Sequence, residues 1–439
     1  MIRCRLLTLL VLTLASVGAQ ERSIGHFAGV GSRAMGMGGA YVGVADDFTA
    51  VFWNPAGLVQ KNHYEIQVSF ARNSQDTKAT LNSTSASAAL NNTRFGALGL
   101  VYPVPVYQGR LVFAAGFNRV QDFDSIIRIQ GFDQVDSLQT THQFSHEGGL
   151  TMTSLAGAID ISPTISLGLS LNILSGEDEN RREFDWTDSE DIYTYQRLVA
   201  REKFSDDYRR SYSAIFGIMV RTPRIEPKFR GGFTIAARTT QRVSYIFEGL
   251  PADPDIEPYN QILFDDGSSE NFANASFADV YTISLPLEFG TGASYRLRPD
   301  LLLSGSAHFA EWTQSEYDEN DNFRADADFD DQYKDIWRYH FGAEWQVPTF
   351  ALDLRAGFYT DPLPFVGPRD PTEPVDPLIN PNVAIKQDRR FLTLGAGLVV
   401  DQILHVDLAW SRGTFEQVEG NLTEDNTTNR TFVGLSYRF

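Results

Sequence analysis

The sequence predicts an all-β protein, a 14-stranded antiparallel transmembrane β-barrel with an N-terminal plug, or hatch, in its lumen. Three observations predict this fold. An export signal opens the chain, fourteen segments of strand character follow at similar lengths, and long polar connections alternate with short ones. No other stretch approaches the run of about 20 apolar residues that a membrane helix needs. A barrel escapes a search for such helices because its apolar and polar residues alternate.

The export signal is predicted over residues 1–19. Arg3 and Arg5 form a short basic start, an apolar run follows over 6–17, and small residues favour cleavage after Ala19. The run is too short for a membrane anchor. Cys4, the only cysteine, lies inside this segment, so we expect neither disulfides nor thiolate metal sites in the mature chain.

The barrel is assigned to residues 63–439. Its segments are close to the 9–11 residues that a tilted membrane strand needs, and an even strand number with long outer loops is typical of outer-membrane barrels. The long connections are expected at 74–92, 121–148, 175–207, 244–280, 314–335, 360–388 and 414–428. The strands are expected at 63–73, 93–102, 111–120, 149–160, 164–174, 208–221, 230–243, 281–296, 300–313, 336–346, 351–359, 389–400, 403–413 and 429–439, with ends accurate to about four residues.

Alternation within the segments supports this assignment. Val433 and Leu435 share one face of the last strand, opposite Gly434 and Ser436, which is the two-residue period of a strand. A soluble sheet with one wet face shows the same period. The length of the segments, the alternating loops and the terminal aromatic Phe439 favour a membrane barrel over that alternative.

Acidic residues are concentrated in the expected loops. The net charge of -19 argues against nucleic acid as a partner. Segments 244–280 and 314–335 are either solvated surfaces or sites where divalent cations join loops to each other or to lipopolysaccharide, since hard cations prefer clustered oxygen ligands. Segment 360–388 contains seven prolines and is expected to be stiff and irregular.

Residues 20–62 do not have the pattern of strands. Glycine is frequent here, but no phosphate-binding motif fits it. Such glycines allow the backbone to approach other elements closely. A fourteen-stranded barrel is too wide for wall side chains to fill, so this segment is predicted to be the plug.

Two motifs in this segment resemble those of a known family. Residues 32–47 read SRAMGMGGAYVGVADD and residues 52–58 read FWNPAGL, which is similar to the N-terminal hatch of FadL-type outer-membrane transporters, relatives of TodX and XylN. Asn54, Pro55 and Ala56 match the family's hatch triplet. Residues 354–361 and 390–395 resemble its late strands.

The resemblance implies passive uptake of long-chain fatty acids or hydrocarbons across the outer membrane. A ligand would be captured by outer loops, pass to a lumen site and leave sideways through a gap at an inward kink in the third strand, next to the hatch triplet. Gly116 is the candidate kink residue because strand glycines often mark bends, although a packing glycine is an equal alternative.

Candidate ligand contacts come from loops and lumen. Exposed apolar groups in loops often mark binding surfaces, although they can also form small loop cores. A fatty acid would need a cation in the lumen; the candidate clamps are Arg238, Arg338 and Arg355, with lumen salt bridges as the alternative role. The capture candidates are Phe247, Leu250, Ile262, Leu263, Phe264, Phe272 and Phe277.

No catalytic motif stands out, so we expect no enzyme, no catalytic residue, no cofactor and no metal site. The expected partners are a hydrophobic small molecule, outer-membrane lipid and lipopolysaccharide, and the barrel-assembly machinery, with the protein as a monomer. Two other functions stay open: an outer-membrane interaction scaffold for secretion of the PorV kind, and a general porin.

Overall fold

The N-terminal part of the chain folds into three short helical turns. They are helix α1 (Ser32–Gly36), helix α2 (Ala50–Trp53) and a 3-10 helix (Pro55–Gln60). The Asn54 side chain caps the 3-10 helix, because its Oδ1 atom accepts a hydrogen bond of 3.1 Å from the Ala56 N–H. The computed structural model describes residues 27, 29–81, 83–133, 137–223, 228–248, 260–273, 276–317, 333–364, 366, 384–401, 403–419 and 422–439. The predicted signal at 1–19, Leu250 and most of the proline-rich segment lie outside these ranges.

The rest of the described chain is β-structure in fourteen successive strands, three of which are interrupted. They are β1 (Glu65–Leu81), β2 (Thr84–Val104), β3a (Leu111–Asp122) with β3b (Ser125–Asp133), β4 (Leu138–Ser162), β5 (Ile165–Thr187), β6 (Tyr195–Arg221), β7a (Phe229–Ala236) with β7b (Thr239–Glu248), β8a (Phe277–Leu285) with β8b (Glu288–Arg298), β9 (Leu301–Ala310), β10 (Ile336–Val347), β11 (Leu352–Asp361), β12 (Ala384–Val400), β13 (Leu404–Glu419) and β14 (Leu422–Arg438). Three smaller pieces accompany them: a loop hairpin, Asn260–Phe264 with Ser269–Phe272, a 3-10 turn at Trp312–Gln314 and a two-residue strand at Glu316–Tyr317.

The sheet closes on itself. Each strand pairs antiparallel with the next along the chain, and β1 pairs with β14 from Glu65–Arg438 to Leu81–Leu422. The pairing of β1 with β14 satisfies the two terminal strands, whose backbone groups would otherwise face the membrane without water. The predicted 14-stranded antiparallel barrel is therefore confirmed.

The strands alternate between the two sides of the wall. Leu435 and Tyr437 are exposed on the outside, whereas Phe432 and Ser436 are buried on the inside. The terminal Phe439 stacks on Tyr64 with ring centroids 5.6 Å apart, which joins the two ends of the barrel. Within the described residues, no helix is long and apolar enough to cross a membrane.

The expected strand ends are wrong on the outer side of the barrel. The connections expected at 74–92, 121–148, 175–207 and 414–428 are largely strand, because paired neighbours continue the ladder through them. β6 alone has 27 residues, against the 9–11 that cross a bilayer. The extensions carry polar residues on both faces, so they lack the apolar contrast by which the membrane strands were recognised.

The N-terminal segment packs against the inward faces of strands on all sides. Between residues 30 and 61, only Arg33, Asp46, Phe52 and Gln60 are not fully buried. Wall glycines make this packing possible, since a Cβ atom at any of them would overlap atoms of the segment. These glycines lie on nine strands: Gly99, Gly116, Gly168, Gly217, Gly232, Gly342, Gly357, Gly395 and Gly434.

Candidate lumen site and wall opening

The triplet Asn54-Pro55-Ala56 is held by β5, β6 and β7a. The Asn54 Nδ2 donates to the carbonyls of Val42 (3.0 Å) and Ile218 (3.2 Å), so it ties the N-terminal segment to β6. A Cβ at Gly168 would meet the Pro55–Ala56 peptide. The triplet thus lies mainly against β5, β6 and β7a, and the 3-10 helix that begins with Pro55 and Ala56 also reaches β3a.

Gly116 has the packing role that was the alternative to a kink. A Cβ there would overlap the Phe48 ring and the Leu98 carbonyl, and Gly99 on β2 faces the same ring. β3a continues past Gly116 in register with β4 as far as Arg119. The two glycines thus make room for Phe48, a kink at Gly116 stays a prediction, and the register with β4 shifts further along the strand, after Arg119.

The third strand leaves its neighbour halfway up the wall. The ladder between β2 and β3a ends at the pair Ala97–Asn118, and from there to Asp133 the third strand pairs, among the described residues, with β4 and through one bridge from Gln121 to Phe27. The register with β4 shifts after Arg119, and the strand is broken between Asp122 and Ser125. The wall therefore lacks backbone hydrogen bonds between the second and third strands over this stretch.

Side chains cover the place where the ladder is missing. The Arg94 guanidinium donates to both carboxylate oxygens of Asp124, at 2.8 and 3.1 Å, and reaches Glu147 at 3.3 Å. On the outer face, the Phe95 ring lies 5.1 Å from those of Phe70 and Phe117. An ion pair and three aromatic rings replace the backbone ladder at this point, and we call it the wall opening.

A cavity of about 170 Å³ lies beside the wall opening. Gln121 of β3a lines it and forms a backbone bridge with Phe27 of the N-terminal segment. The cavity is thus bounded by the third strand, by the N-terminal segment and by strands on the other side of the barrel. Most of its lining is apolar, including Phe27, Phe52, Leu150, Met152, Leu174 and Ile215.

A row of polar side chains forms the far wall of the cavity. Thr234, Gly290, His308 and Arg338 are successive cross-strand neighbours on β7a, β8b, β9 and β10. The carboxyl group of Glu288 also lines this side. The cavity is therefore apolar toward the third strand and polar toward β8b to β10.

Arg355 is fully paired and does not line this cavity. Its guanidinium donates to Glu344 at 2.7 Å and to Asp407 at 2.6 Å, with Asp353 at 3.4 Å. Glu344 in turn accepts two hydrogen bonds from Arg33, at 2.8 and 2.9 Å. This buried network fastens helix α1 to the wall, which is the salt-bridge role that was the alternative to a clamp.

The other two clamp candidates differ from each other. Arg338 lines the cavity, but its Nε already donates to Asp361 at 2.9 Å. Arg238 is more than a third exposed and lies 3.8 Å from Glu316. Neither arginine is brought together with Arg355, so the three do not form one anion site.

The capture candidates pack largely among themselves. Phe247 is buried against Phe204, with ring centroids 4.9 Å apart, while Phe277 beside it is 54% exposed. Ile262, Phe264 and Phe272 of the loop hairpin pack on a cluster formed by Leu138, Phe184, Trp186, Tyr195, Leu198 and Ala200. Leu263 lies in the same hairpin. Most of the capture candidates therefore belong to a small loop core, which was the alternative role, and ligand capture stays a prediction.

The outer extension also encloses charge. Glu202 on β6, in the part of the strand that the sequence assigned to the loop 175–207, is 5% exposed, and burial raises its pKa to about 7 against the opposing attraction of Arg182. In the described residues, no group of three or more His, Cys, Asp or Glu side chains is arranged to hold a metal ion.

Of the residues that line the cavity, sequence reasoning singled out only Arg338; Phe27, Glu288 and Trp312 are among those that it missed. Phe27 precedes the recognised motifs, and Trp312 follows the end of β9 in a turn. Glu288 begins β8b after a break that the periodic pattern did not show. Only strand register brings them together, and alternation within one strand contains no information on register between strands.

The fold and the site define an outer-membrane β-barrel of the transport class. Residues 264–438 match the family model described as outer membrane protein transport protein (OMPP1/FadL/TodX). This match, together with the fold, confirms the resemblance to the FadL/TodX family inferred from the N-terminal motifs. No curated protein matches the chain.

Solved structures share the fold along nearly the whole chain. A FadL homologue of Pseudomonas aeruginosa is 15% identical, with a TM-score of 0.62 over 94% of this chain and 100% of that one. The toluene transporter TodX of Pseudomonas putida is 13% identical (TM-score 0.61, 95% and 100%), and the toluene transporter TbuX of Ralstonia pickettii is 12% identical (TM-score 0.52, 94% and 98%).

Proposed function

We propose that this protein takes up small hydrophobic compounds passively across the outer membrane, through the cavity and out of the wall opening. The observation that carries the proposal is the missing ladder between β2 and the third strand, together with a cavity that Val120 and Gln121 of the same unpaired stretch line. A lipid-exposed gap in a barrel leaves backbone groups unpaired, so it is not expected unless it has a use. The solved structures named as toluene transporters support the same substrate class.

The N-terminal segment has the role of the plug in this proposal. It packs onto inward glycines of nine strands, and its Phe27 lines the cavity and forms a backbone bridge with Gln121 of the third strand. A ligand that leaves through the wall opening has to displace Phe27 or pass beside it. The filled lumen speaks against a general porin, which would need an open aqueous path.

Filling the cavity is expected to block uptake. Ala236 lines the cavity, and Ala236→Trp would place an indole in it, so the uptake rate of labelled toluene into cells that display the protein should fall at least tenfold. Ala356→Trp is the matched control, because Ala356 faces outward from β11. Equal uptake by both variants and the wild type would show that the cavity is not on the route.

A further inference from the structure

We infer that the cavity recognises a neutral monoaromatic compound that carries a hydroxyl group, through the indole N–H of Trp312 and the Nε2 atom of His308. This inference rests on the proposed function and adds the chemistry of the ligand. It concerns the polar side of the cavity, which a pure hydrocarbon would leave without hydrogen bonds.

The size of the cavity suits one aromatic ring. A dry protein cavity of about 150 Å³ lined by aliphatic and aromatic side chains binds benzene, and this cavity measures about 170 Å³. Phe27, Phe52 and Met152 on its apolar side offer ring and sulfur contacts to an aromatic guest. A long-chain fatty acid would need a much longer space than this.

Trp312 supplies the hydrogen-bond donor. Its side chain is 2% exposed, stacks on Tyr333 with centroids 6.3 Å apart, and lines the cavity. Its Nε1 atom is buried and has no hydrogen-bond partner among the described residues. Buried tryptophans usually satisfy this N–H, and leaving it unmade is costly, so the group is suited to an acceptor atom of a ligand.

His308 supplies the second contact. Its ring packs against His340 and Trp53, at centroid distances of 5.2 and 5.8 Å, which fixes its orientation. Its Nε2 atom is buried and likewise lacks a partner within the described part of the chain. An imidazole nitrogen either donates or accepts, depending on the tautomer.

A hydroxyl group is the complement of these two atoms. Its oxygen accepts from the indole N–H, which only donates, and its hydrogen is available to an accepting imidazole nitrogen. A carboxylate fits less well, because a charge that is buried without a free counter-ion is costly. Arg338, the cation of the cavity, is already paired with Asp361.

The test compares three ligands with one carbon frame: toluene, p-cresol and p-toluate. Their affinities for the purified barrel in detergent are measured by isothermal titration calorimetry, with Ala236→Trp as the control for binding outside the cavity. We expect p-cresol to bind about tenfold more tightly than toluene, because that ratio of affinities corresponds to the free energy of one hydrogen bond to an otherwise unpaired group. We expect p-toluate to bind most weakly of the three.

Two variants locate the hydroxyl contact. Trp312→Phe keeps an aromatic ring but removes the N–H, and His308→Phe removes Nε2. Each should lower the affinity for p-cresol several-fold and leave that for toluene within twofold. Trp337→Phe is the matched control, because Trp337 is 48% exposed on the outer face.

The outcomes separate the inference from the function on which it rests. Toluene binding that Ala236→Trp abolishes, with no preference for p-cresol, would overturn the hydroxyl inference and leave the uptake function standing. Tightest binding of p-toluate would overturn it in favour of an anion site. No cavity binding of any of the three ligands would overturn both.

Discussion

Deletion of residues 20–62 is expected to convert a barrel that conducts almost no ions into a permanently open pore. The described part of this segment packs onto inward glycines of nine strands and is buried along nearly all of its length. Eight-stranded barrels are filled by their own side chains, whereas barrels of 16–18 strands hold an aqueous channel. A fourteen-stranded barrel with inward glycines, once the N-terminal segment is removed, is closer to the barrels that hold an aqueous channel. Conductance in planar bilayers measures the effect.

The deletion needs a check on folding and a milder companion. Retention of the folded, faster-migrating form on a gel without heating shows that the barrel has formed. Asn54→Ala removes the bonds to Val42 and Ile218 and the cap on Ala56, so it should give brief openings in an otherwise closed protein. A folded deletion variant with unchanged conductance would mean that the segment is not a plug.

Glu344→Ala is expected to have the largest effect on stability of any single substitution in the wall. Glu344 is 2% exposed and accepts from both Arg33 and Arg355. Its removal leaves Arg33 with Asp46 and the Tyr41 hydroxyl, and it removes one of the two short hydrogen bonds of Arg355. Breaking a buried ion pair from one side typically costs about 3–5 kcal/mol. Urea unfolding followed by the gel shift measures the loss.

The matched comparison is an exposed ion pair of the same type. Arg298 is 59% exposed where it meets Asp300 at 3.3 Å, so Arg298→Ala should cost only about 0–1 kcal/mol. Because α1 carries Arg33, Glu344→Ala should also loosen the N-terminal segment and make the barrel leak. A loss for Glu344→Ala no larger than that for Arg298→Ala would contradict the network's role.

The membrane part of the barrel was predictable from the sequence because its two faces differ. Leu435 and Ser436 lie on opposite sides of the wall, and the chain repeats that contrast in every membrane strand. The outer extensions were not predictable. On β5, Asp178 and Asn180 face inward and are buried, while their neighbours Glu177 and Glu179 face outward. Because all four residues are polar, the sequence shows no alternation of apolar and polar residues here.

The site was predictable only in part, for a similar reason. The hatch triplet was recognisable from its amino-acid sequence alone. Its position beside β5, β6 and β7a, however, depends on how the N-terminal segment crosses the lumen. The kink was placed at Gly116, yet the strand breaks between Asp122 and Ser125, where neither glycine nor proline occurs. Trp312 and Phe27 meet only through the register of a closed sheet.

The most direct test of the account is to close the wall opening with a covalent bridge. Arg94 and Asp124 touch across it, and Cys4, the only natural cysteine, lies in the predicted signal peptide. Arg94→Cys with Asp124→Cys can therefore be joined by a short reducible bifunctional reagent. Leu303→Cys with Ala343→Cys, direct partners in the continuous ladder between β9 and β10, is the control pair.

Toluene uptake is measured for both pairs before bridging, after bridging and after reduction. If ligands leave through the wall opening, uptake by the Arg94–Asp124 pair falls at least tenfold on bridging and recovers on reduction, while the Leu303–Ala343 pair is unaffected. Full uptake through a quantitatively bridged Arg94–Asp124 pair would contradict the account, because the ligand would then leave the barrel by another route.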